Sequence, residues 1–305
     1  MKHNEWLTGI GYGLLAALIW GGFPVVTRLG VTHAALDAFD IAFIRFAVSG
    51  TLLLPVVLRR GVRSLRPAAI ALMVTGAGAP YILTVAAALG RAPVGYFALT
   101  PGSMIAFTTI LGRWVARETL PAARIAGIVA ILAGMALAAS DALSGAIGPT
   151  ALALFVLGGL LWAIYNVTTK RAAAGALHAT AVVSVGSALL YCPLYLVVRG
   201  GAVLHVPVAA IATQAIYQGV LMSVLALYCF SRAVVALGPA IGATFAALMP
   251  LLATLEAALL LGERPHAAAL AGIAVVTAGM IASLAGGRRS GKPHTVPAPQ
   301  PTANG

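Results

Sequence analysis

The chain has 305 residues, of which 61% are hydrophobic and 9% are charged, and its mean hydropathy is +0.99. A soluble domain carries about a quarter charged residues, so this composition excludes an ordinary soluble enzyme or binding module. The formal net charge of +12 could suggest a nucleic-acid partner, but the basic residues stand in short runs between long apolar stretches. We therefore predict a membrane protein without a nucleic-acid partner, whose basic residues report its orientation.

Ten stretches are long and apolar enough to cross a bilayer, which takes about 20 helical residues. They predict an all-α membrane protein with helices at 7–28, 37–58, 67–89, 93–113, 121–140, 148–169, 179–198, 208–231, 239–261 and 266–286. The first stretch is too long for a signal-peptide core and lacks a cleavage site of small residues, so we expect it to be retained. The tail 287–305 lacks apolar periodicity, and we expect it to be disordered.

Lysine and arginine accumulate on one side of these spans. With the N-terminus (1–6) in the cytoplasm, 14 of the 19 basic residues fall in cytoplasmic segments, four fall on the opposite side and Arg45 lies within a span. Short cytoplasmic loops are enriched in basic residues. We therefore expect both termini to be cytoplasmic.

The chain carries an internal duplication. The stretch from Glu118 to Met135 returns 145 residues later at Glu263 to Met280, with both Ala-Gly pairs and the leading Glu preserved. Trp20 to Arg28 likewise matches Trp162 to Lys170.

The two copies cover 7–140 and 148–286, with five predicted helices each. Because five is odd, the second copy must cross the membrane in the opposite sense to the first. The result is an inverted-topology repeat, an arrangement that recurs in secondary transporters.

Two five-helix halves, each with a Trp in its first helix and a Pro in its fourth, resemble the EamA-type transporters of the drug/metabolite transporter superfamily. The resemblance is carried by Pro250 to Glu263, followed by Ala271-Gly-Ile and Ala278-Gly-Met. It implies a multi-pass carrier of the bacterial inner membrane that moves small metabolites, often outward. It does not name the metabolite.

Polar and aromatic side chains on several helices are the candidates for a substrate cavity. Some recur at three- and four-residue steps and so share a helix face, and others match between the two halves. The candidates are Trp20, Phe23, Arg45, Tyr81, Tyr96, Thr100, Ser103, Trp162, Tyr165, Asn166, Gln214, Tyr217, Gln218, Tyr228, Phe245, Met249 and Glu256. The alternative is that these residues only pack and form hydrogen bonds between helices.

Arg45 and Glu256 are the two charges inside predicted spans, where inserting a bare charge costs several kcal/mol. The predicted orientation puts them at similar depth, so they could hold the two ends of a zwitterionic substrate, or Glu256 could titrate as a proton-coupling group. The structural alternatives are an ion pair between the two, or an Arg45 side chain that extends toward Asp40 and the headgroups.

Proline removes a backbone hydrogen bond and bends a helix. Pro24, Pro80, Pro101 and Pro250 are therefore hinge candidates, although proline is also ordinary in membrane helices. The last two match between the halves.

Small residues recur at every fourth position of predicted helices 5 and 10, and such rows let helices approach closely in lipid. The rows are Ala122, Ala126, Ala130, Gly134 and Ala138, and Ala267, Ala271, Val275, Gly279 and Ser283. We interpret these helices as a scaffold, with a dimer interface as the alternative. Glu118 and Glu263 each stand just before them, where an acid favours a helix N-terminus.

These features predict a secondary transporter that exports small neutral, zwitterionic or amphipathic metabolites by alternating access, with amino acids as the leading class. A carrier of phosphorylated compounds would need several buried cations, and Arg45 is the only one predicted. The chain has no Gly-rich phosphate loop with Lys, so ATP is not the expected driver. The alternatives are an exporter of drugs or other metabolites and a non-transporting membrane scaffold.

We expect no enzyme activity, since the histidines lie at span ends or in the tails and no nucleophile-and-base or metal-binding motif occurs. No metal or cofactor is expected. The expected partners are the metabolite, the lipid bilayer and a coupling proton, and the protein is expected to be a monomer or a homodimer.

Overall fold

The computed structural model describes residues 3–116, 121–140 and 147–286. Helices make up most of these ranges, and no strand occurs within them. The tail 287–305 and the acid Glu118 lie outside the described residues, so their predicted roles stay predictions.

The first half is built from five consecutive helical regions, two of them interrupted. It consists of α1 (His3–His33), α2 (Ala38–Arg60), α3 (Pro67–Ala77), α4 (Ala79–Leu89), a 3₁₀ segment (Val94–Ala98), α5 (Leu99–Ala116) and α6 (Ala122–Ala139).

The second half follows the same plan. It consists of α7 (Pro149–Arg171), α8 (Ala176–Arg199), a 3₁₀ turn (Ala202–His205), α9 (Val208–Gln214), a π-helical segment (Ala215–Leu225), α10 (Ala226–Leu237), α11 (Pro239–Ala247), α12 (Met249–Leu260) and α13 (Ala267–Gly286).

Within the described ranges, seven helices are long and apolar enough to cross a membrane. They are Glu5–His33, Ala38–Arg60, Pro67–Leu89, Val94–Val115, Pro149–Arg171, Ala176–Arg199 and Val208–Leu237. Three further apolar helices are shorter: Ala122–Ala138, Met249–Leu260 and Ala267–Ser283. The all-α, membrane-embedded class is therefore confirmed, and the predicted count of ten crossing helices depends on the three shorter ones.

Helix packing joins the two halves rather than separating them. In the described chain, α1 packs against α10 and α12, while α7 packs against α3, α4 and α5. The halves are also joined by packing of α2 against α8 and of α6 against α13. Exchanging the two halves leaves this pattern unchanged, as expected when two copies of one unit pack face to face.

Three of the four proline hinge candidates stand near an interruption of a helix. Gly78 separates α3 from α4 with φ −90° and ψ −146°, and Pro80 follows it in the first turn of α4. Pro250 holds the same place in α12, just after Leu248. Pro101 lies near the start of α5, after the 3₁₀ segment, whereas Pro24 lies inside a continuous α1.

The π-helical segment changes which residues share a face of the eighth predicted span. A π-helix bonds each residue to the fifth one along and therefore holds more residues per turn than the 3.6 of an α-helix. Gln214 and Gln218 are buried, but Tyr228 is 53% exposed and packs edge-on against Tyr12. Tyr228 therefore does not share a face with the two glutamines, and the prediction that it lines the cavity is wrong.

Helices α6 and α13 approach each other at glycine. A Cβ atom on Gly134 would stand 2.7 Å from the backbone nitrogen of Val276 and 2.8 Å from the carbonyl oxygen of Gly272. A Cβ atom on Gly279 would stand 2.8 Å from the carbonyl oxygen of Gly127. The two backbones are thus in contact, which is how helices associate where lipid removes the hydrophobic driving force.

The predicted row on α6 is partly wrong. Ala122 and Ala126 are exposed, and the buried row instead runs through Gly127, Gly134 and Ala138. Four residues exceed one 3.6-residue turn, so a strict fourth-position row slants around the helix. The face of α6 that contacts α13 is followed instead by alternating steps of three and four residues.

We predict that Gly134→Ala destabilises the protein by about 1–3 kcal/mol, the usual cost of overpacking, because the new methyl group meets backbone atoms that cannot swing away. The melting temperature in detergent checks this. Gly11→Ala is the matched control, since Gly11 is also helical and a Cβ there meets nothing within 4 Å. Equal melting temperatures for the two variants would contradict the close contact.

Candidate substrate cavity

A cavity of about 640 Å³ lies between the two halves and is lined by helices from both. This volume is in the range of small-molecule sites. Its walls are rich in aromatic rings: Trp20, Phe23, Phe46, Tyr81, Phe97, Trp162, Tyr165 and Phe230. Several of these rings touch one another, with Tyr81 and Trp162 at 4.6 Å and Trp20 and Phe230 at 5.0 Å between centroids.

The cavity is closed at one end and open at the other. Phe23, Phe97 and Arg45 line the closed end and are 2%, 1% and 8% exposed. The lining extends from there to Arg124 in the first turn of α6 and to Ala176, which is exposed at the start of α8. A solute can therefore enter from the α6 and α8 end.

The guanidinium of Arg45 lies at the closed end. Its Nη1 donates to Oε1 of Gln218 at 2.8 Å, and its Cζ lies 5.7 Å from the ring centre of Phe23. Gln218 in turn donates from Nε2 to Oγ1 of Thr27 at 2.9 Å, and Gln214 donates to the carbonyl of Val26 at 2.7 Å. Hydrogen bonds to α1 thus fix the glutamine that orients Arg45.

Nine of the predicted cavity residues meet at this site, together with the hinge candidate Pro101. The nine are Trp20, Phe23, Arg45, Tyr81, Thr100, Trp162, Tyr165, Asn166 and Met249. Their side chains come from α1, α2, α4, α5, α7 and α12. The aromatic residues that match between α1 and α7 are thus brought to one space.

Eight other candidates lie elsewhere, and four of them support the walls from behind. Gln214 and Gln218 are the buried link between Arg45 and α1 described above. Ser103 is 2% exposed and lies at α7, where a Cβ on Gly159 would meet its Oγ. Tyr96 is buried in the 3₁₀ segment. The different periodicity of this segment takes Tyr96 off the face that Thr100 occupies on α5.

The candidates on the ninth predicted span, Phe245, Met249 and Glu256, do not share one face, because that span is broken at Leu248. Phe245, on α11, packs against Gly13 of α1 instead of lining the cavity. Of the three, only Met249 lines the cavity. Tyr228 lies on the outer surface, as described above.

Glu256 lies in a separate niche on α1, away from the cavity. A Cβ on Gly21 would stand 3.1 Å from its Oε1 and one on Gly22 would stand 2.7 Å from its Oε2, so these glycines make room for the carboxylate. Tyr217 borders the same niche and donates to the carbonyl of Ile19 at 2.9 Å. Oε1 of Glu256 is buried without a hydrogen-bond partner.

The predicted partners of Arg45 are therefore wrong. Its described hydrogen bond goes to Gln218, and no ion pair joins it to Glu256 in the described chain. Asp40 is engaged by Tyr195 and by the backbone nitrogen of Asp37 at 2.9 Å. A zwitterion held between Arg45 and Glu256 in the cavity is also excluded, because Arg45 lines the cavity and Glu256 does not.

Several lining residues had not been singled out from the sequence. On α5, Met104 and Thr108 follow the predicted Thr100 at four-residue steps, and this row could have been read directly from the sequence. Arg124 and Ser283 also line the cavity, although both stand on helices interpreted only as scaffold.

At the end of the bundle opposite the opening of the cavity, Arg28 contacts Glu263. We call this pair the Arg28–Glu263 contact. The two side chains form an ion pair, Glu263 also accepts from the backbone nitrogen of Val94 at 2.7 Å, and Arg28 donates to the carbonyl of Ala92 at 2.6 Å. Since α13 begins at Ala267, Glu263 is not in its first turn, and the predicted role of this acid at a helix N-terminus is wrong.

Comparison with known proteins agrees with this two-part architecture. The model of the EamA-like transporter family matches the chain twice, at residues 7–140 and 149–285. A solved structure described only as a crystal structure of a protein covers 95% of this chain and 100% of its own, with a TM-score of 0.58 and 20% sequence identity, and so shares the fold. No curated protein matches the chain.

We predict that a cysteine at Thr180, near the open end, reacts with a water-soluble maleimide at least tenfold faster than a cysteine at Ser103. Thr180 lines the cavity, whereas Ser103 is buried between α5 and α7. Labelling rates of the purified protein check this in a background with Cys192→Ser and Cys229→Ala, which removes both native cysteines. Similar rates at the two positions would argue against a water-accessible cavity.

Proposed function

Because the chain belongs to the EamA-like transporter family, we propose that it is a secondary exporter of small neutral, zwitterionic or amphipathic metabolites, with amino acids as the leading class. The observation that carries this proposal is the cavity between the halves, with its aromatic walls and few polar groups. Small-molecule sites combine mostly apolar walls with a few polar groups that orient the ligand.

The proposed topology has ten crossing helices in two inverted five-helix repeats, with both termini in the cytoplasm of a bacterium and the helices in its inner membrane. In this topology α6, α12 and α13 also cross the membrane. The close packing of α6 along α13 and the distribution of Lys and Arg support it. The open end of the cavity then faces the cytoplasm, as loading for export requires.

Export in this scheme proceeds by alternating access. The Arg28–Glu263 contact closes the outer end while the cavity is loaded from the cytoplasm, and it breaks when the outer end opens. The interruptions at Gly78 and Leu248 are the proposed bending points, since both leave a helix without continuous backbone hydrogen bonding.

We further propose that a proton gradient drives export through Glu256. An ionisable residue within a membrane span is commonly functional because it is costly to keep there. The titratable group that faces it is Tyr217, and α1 presents only Gly21, Gly22 and apolar side chains to the niche. Protonation would change the packing of α12 against α1, which also lines the cavity.

Counterflow tests the transport function itself. Proteoliposomes loaded with a mixture of the twenty amino acids should accumulate at least one labelled amino acid only when the protein is present. Accumulation of a drug-like amphipathic compound instead would favour the drug-exporter alternative, for which the aromatic walls also provide a surface. Absence of counterflow for both classes would favour a non-transporting scaffold.

We predict that Glu263→Gln weakens the closed outer end by about 1.5–3 kcal/mol, the usual worth of a hydrogen bond to a charged group, because the ion pair with Arg28 is lost. A cysteine at Ala92, which is 1% exposed, should then be labelled about tenfold faster in right-side-out vesicles. Glu5→Gln, which removes an exposed acid of α1, is the control. Equal labelling rates in the two variants would show that the Arg28–Glu263 contact does not hold the outer end closed.

We predict that Glu256→Gln abolishes the dependence of export on an imposed pH gradient while counterflow without a gradient persists. The amide keeps the shape of the side chain and cannot release a proton. Transport in proteoliposomes with and without a gradient checks this. A variant that keeps the wild-type gradient dependence would reject Glu256 as the coupling group.

A further inference from the structure

We propose that Arg45 binds the carboxylate of the transported molecule, so that the carrier selects amphipathic monocarboxylates, free amino acids included, over their amides and esters. This inference rests on the proposed transport function and names the substrate class that the cavity takes. It is carried by the position, the hydrogen bonds and the surroundings of one buried guanidinium.

Arg45 has more donors than partners. A guanidinium carries five N–H donors, but in the described chain Arg45 forms one hydrogen bond, from Nη1 to Gln218. Its Nε is buried and has no hydrogen-bond partner. A buried cation with unused donors is costly unless an anion or further acceptors reach it, and the cavity is the open space beside it.

The guanidinium is held in one orientation before any ligand arrives. The rings of Phe23 and Phe46 lie 5.7 and 5.9 Å from its Cζ. Gln218, which accepts from Nη1, is itself tied to Thr27 and Gln214. A donor fork that is fixed in this way loses little conformational entropy on binding, which favours a planar carboxylate.

The charge of the lining favours a singly charged anion. Among the described residues that line the cavity there is no Asp or Glu, and the two cations, Arg45 and Arg124, lie toward opposite ends. A single buried guanidinium at the closed end matches one carboxylate better than a dianionic phosphate. The ammonium of an amino acid can lie against the faces of Trp20 and Trp162, as cations do on aromatic rings.

The competing interpretation makes Arg45 purely structural, a cation satisfied by Gln218 and two rings. The two interpretations differ in what Gln218→Glu does. This nearly isosteric change gives Arg45 a permanent carboxylate partner within the hydrogen-bond distance of the present pair. If Arg45 serves substrate, the new carboxylate competes with it. If Arg45 is structural, the change leaves selectivity as it was.

The experiment compares binding and counterflow of matched pairs that differ at the carboxylate. The probes are L-phenylalanine with L-phenylalaninamide and L-leucine with L-leucinamide, followed by the other amino acids and by phenylacetate with phenylacetamide. The variants are Arg45→Met, Arg45→Lys and Gln218→Glu. Arg59→Met is the control, because Arg59 is an exposed arginine at the end of the same helix.

The wild type and Arg59→Met should prefer the carboxylate of at least one pair by tenfold or more. Arg45→Met and Gln218→Glu should both reduce that preference to less than threefold, and Arg45→Lys should fall between. If Arg45→Met does not fold, Gln218→Glu decides alone, since it adds an ion-pair partner rather than removing a charge.

A Gln218→Glu protein that elutes as wild type and retains the full preference would overturn the inference. So would a wild-type preference for the amides, or equal use of both members of every pair. Each of these results leaves the transport function standing, because solute still moves. Absence of counterflow for every probe would instead overturn the proposed function and the inference with it.

Discussion

Close backbone contact between helices is the constraint on which this structure depends. In a bilayer the apolar faces of helices gain nothing by leaving lipid, so association rests on packing that only small side chains allow. Gly134 and Gly272 bring α6 and α13 to backbone contact. The cavity lies between the two halves, and rings of α1 and α7 are among the side chains that line it.

Arg45 and Glu256 lie on different sides of α1. Arg45 lies at the closed end of the cavity beside Phe23, and Glu256 lies in the niche formed by Gly21 and Gly22. Neither neutralises the other, so each keeps an unsatisfied polar atom. In the proposed scheme, a shift of α1 would couple substrate binding at Arg45 to protonation of Glu256, because it changes the surroundings of both side chains.

The sequence predicted the helices, the duplication and the family because apolar length and repeat identity depend little on detail. It predicted five of the eight lining rings, Trp20 and Trp162 among them because they occupy equivalent places in the two halves, and it missed Phe46, Phe97 and Phe230. It failed where helices depart from α geometry: the π-helical segment displaced Tyr228, the 3₁₀ segment displaced Tyr96 and the break at Leu248 displaced Phe245. Such departures depend on tertiary contacts that periodicity does not reveal.

The central claim is that the cavity between the halves is reached from both sides of the membrane in turn. Its most direct test places a single cysteine at Met104, which lines the middle of the cavity wall on α5, in the cysteine-free background. The account predicts labelling by a membrane-impermeant maleimide in inside-out vesicles and, more slowly, in right-side-out vesicles. Labelling confined to one orientation, whatever solute or pH gradient is imposed, would contradict it.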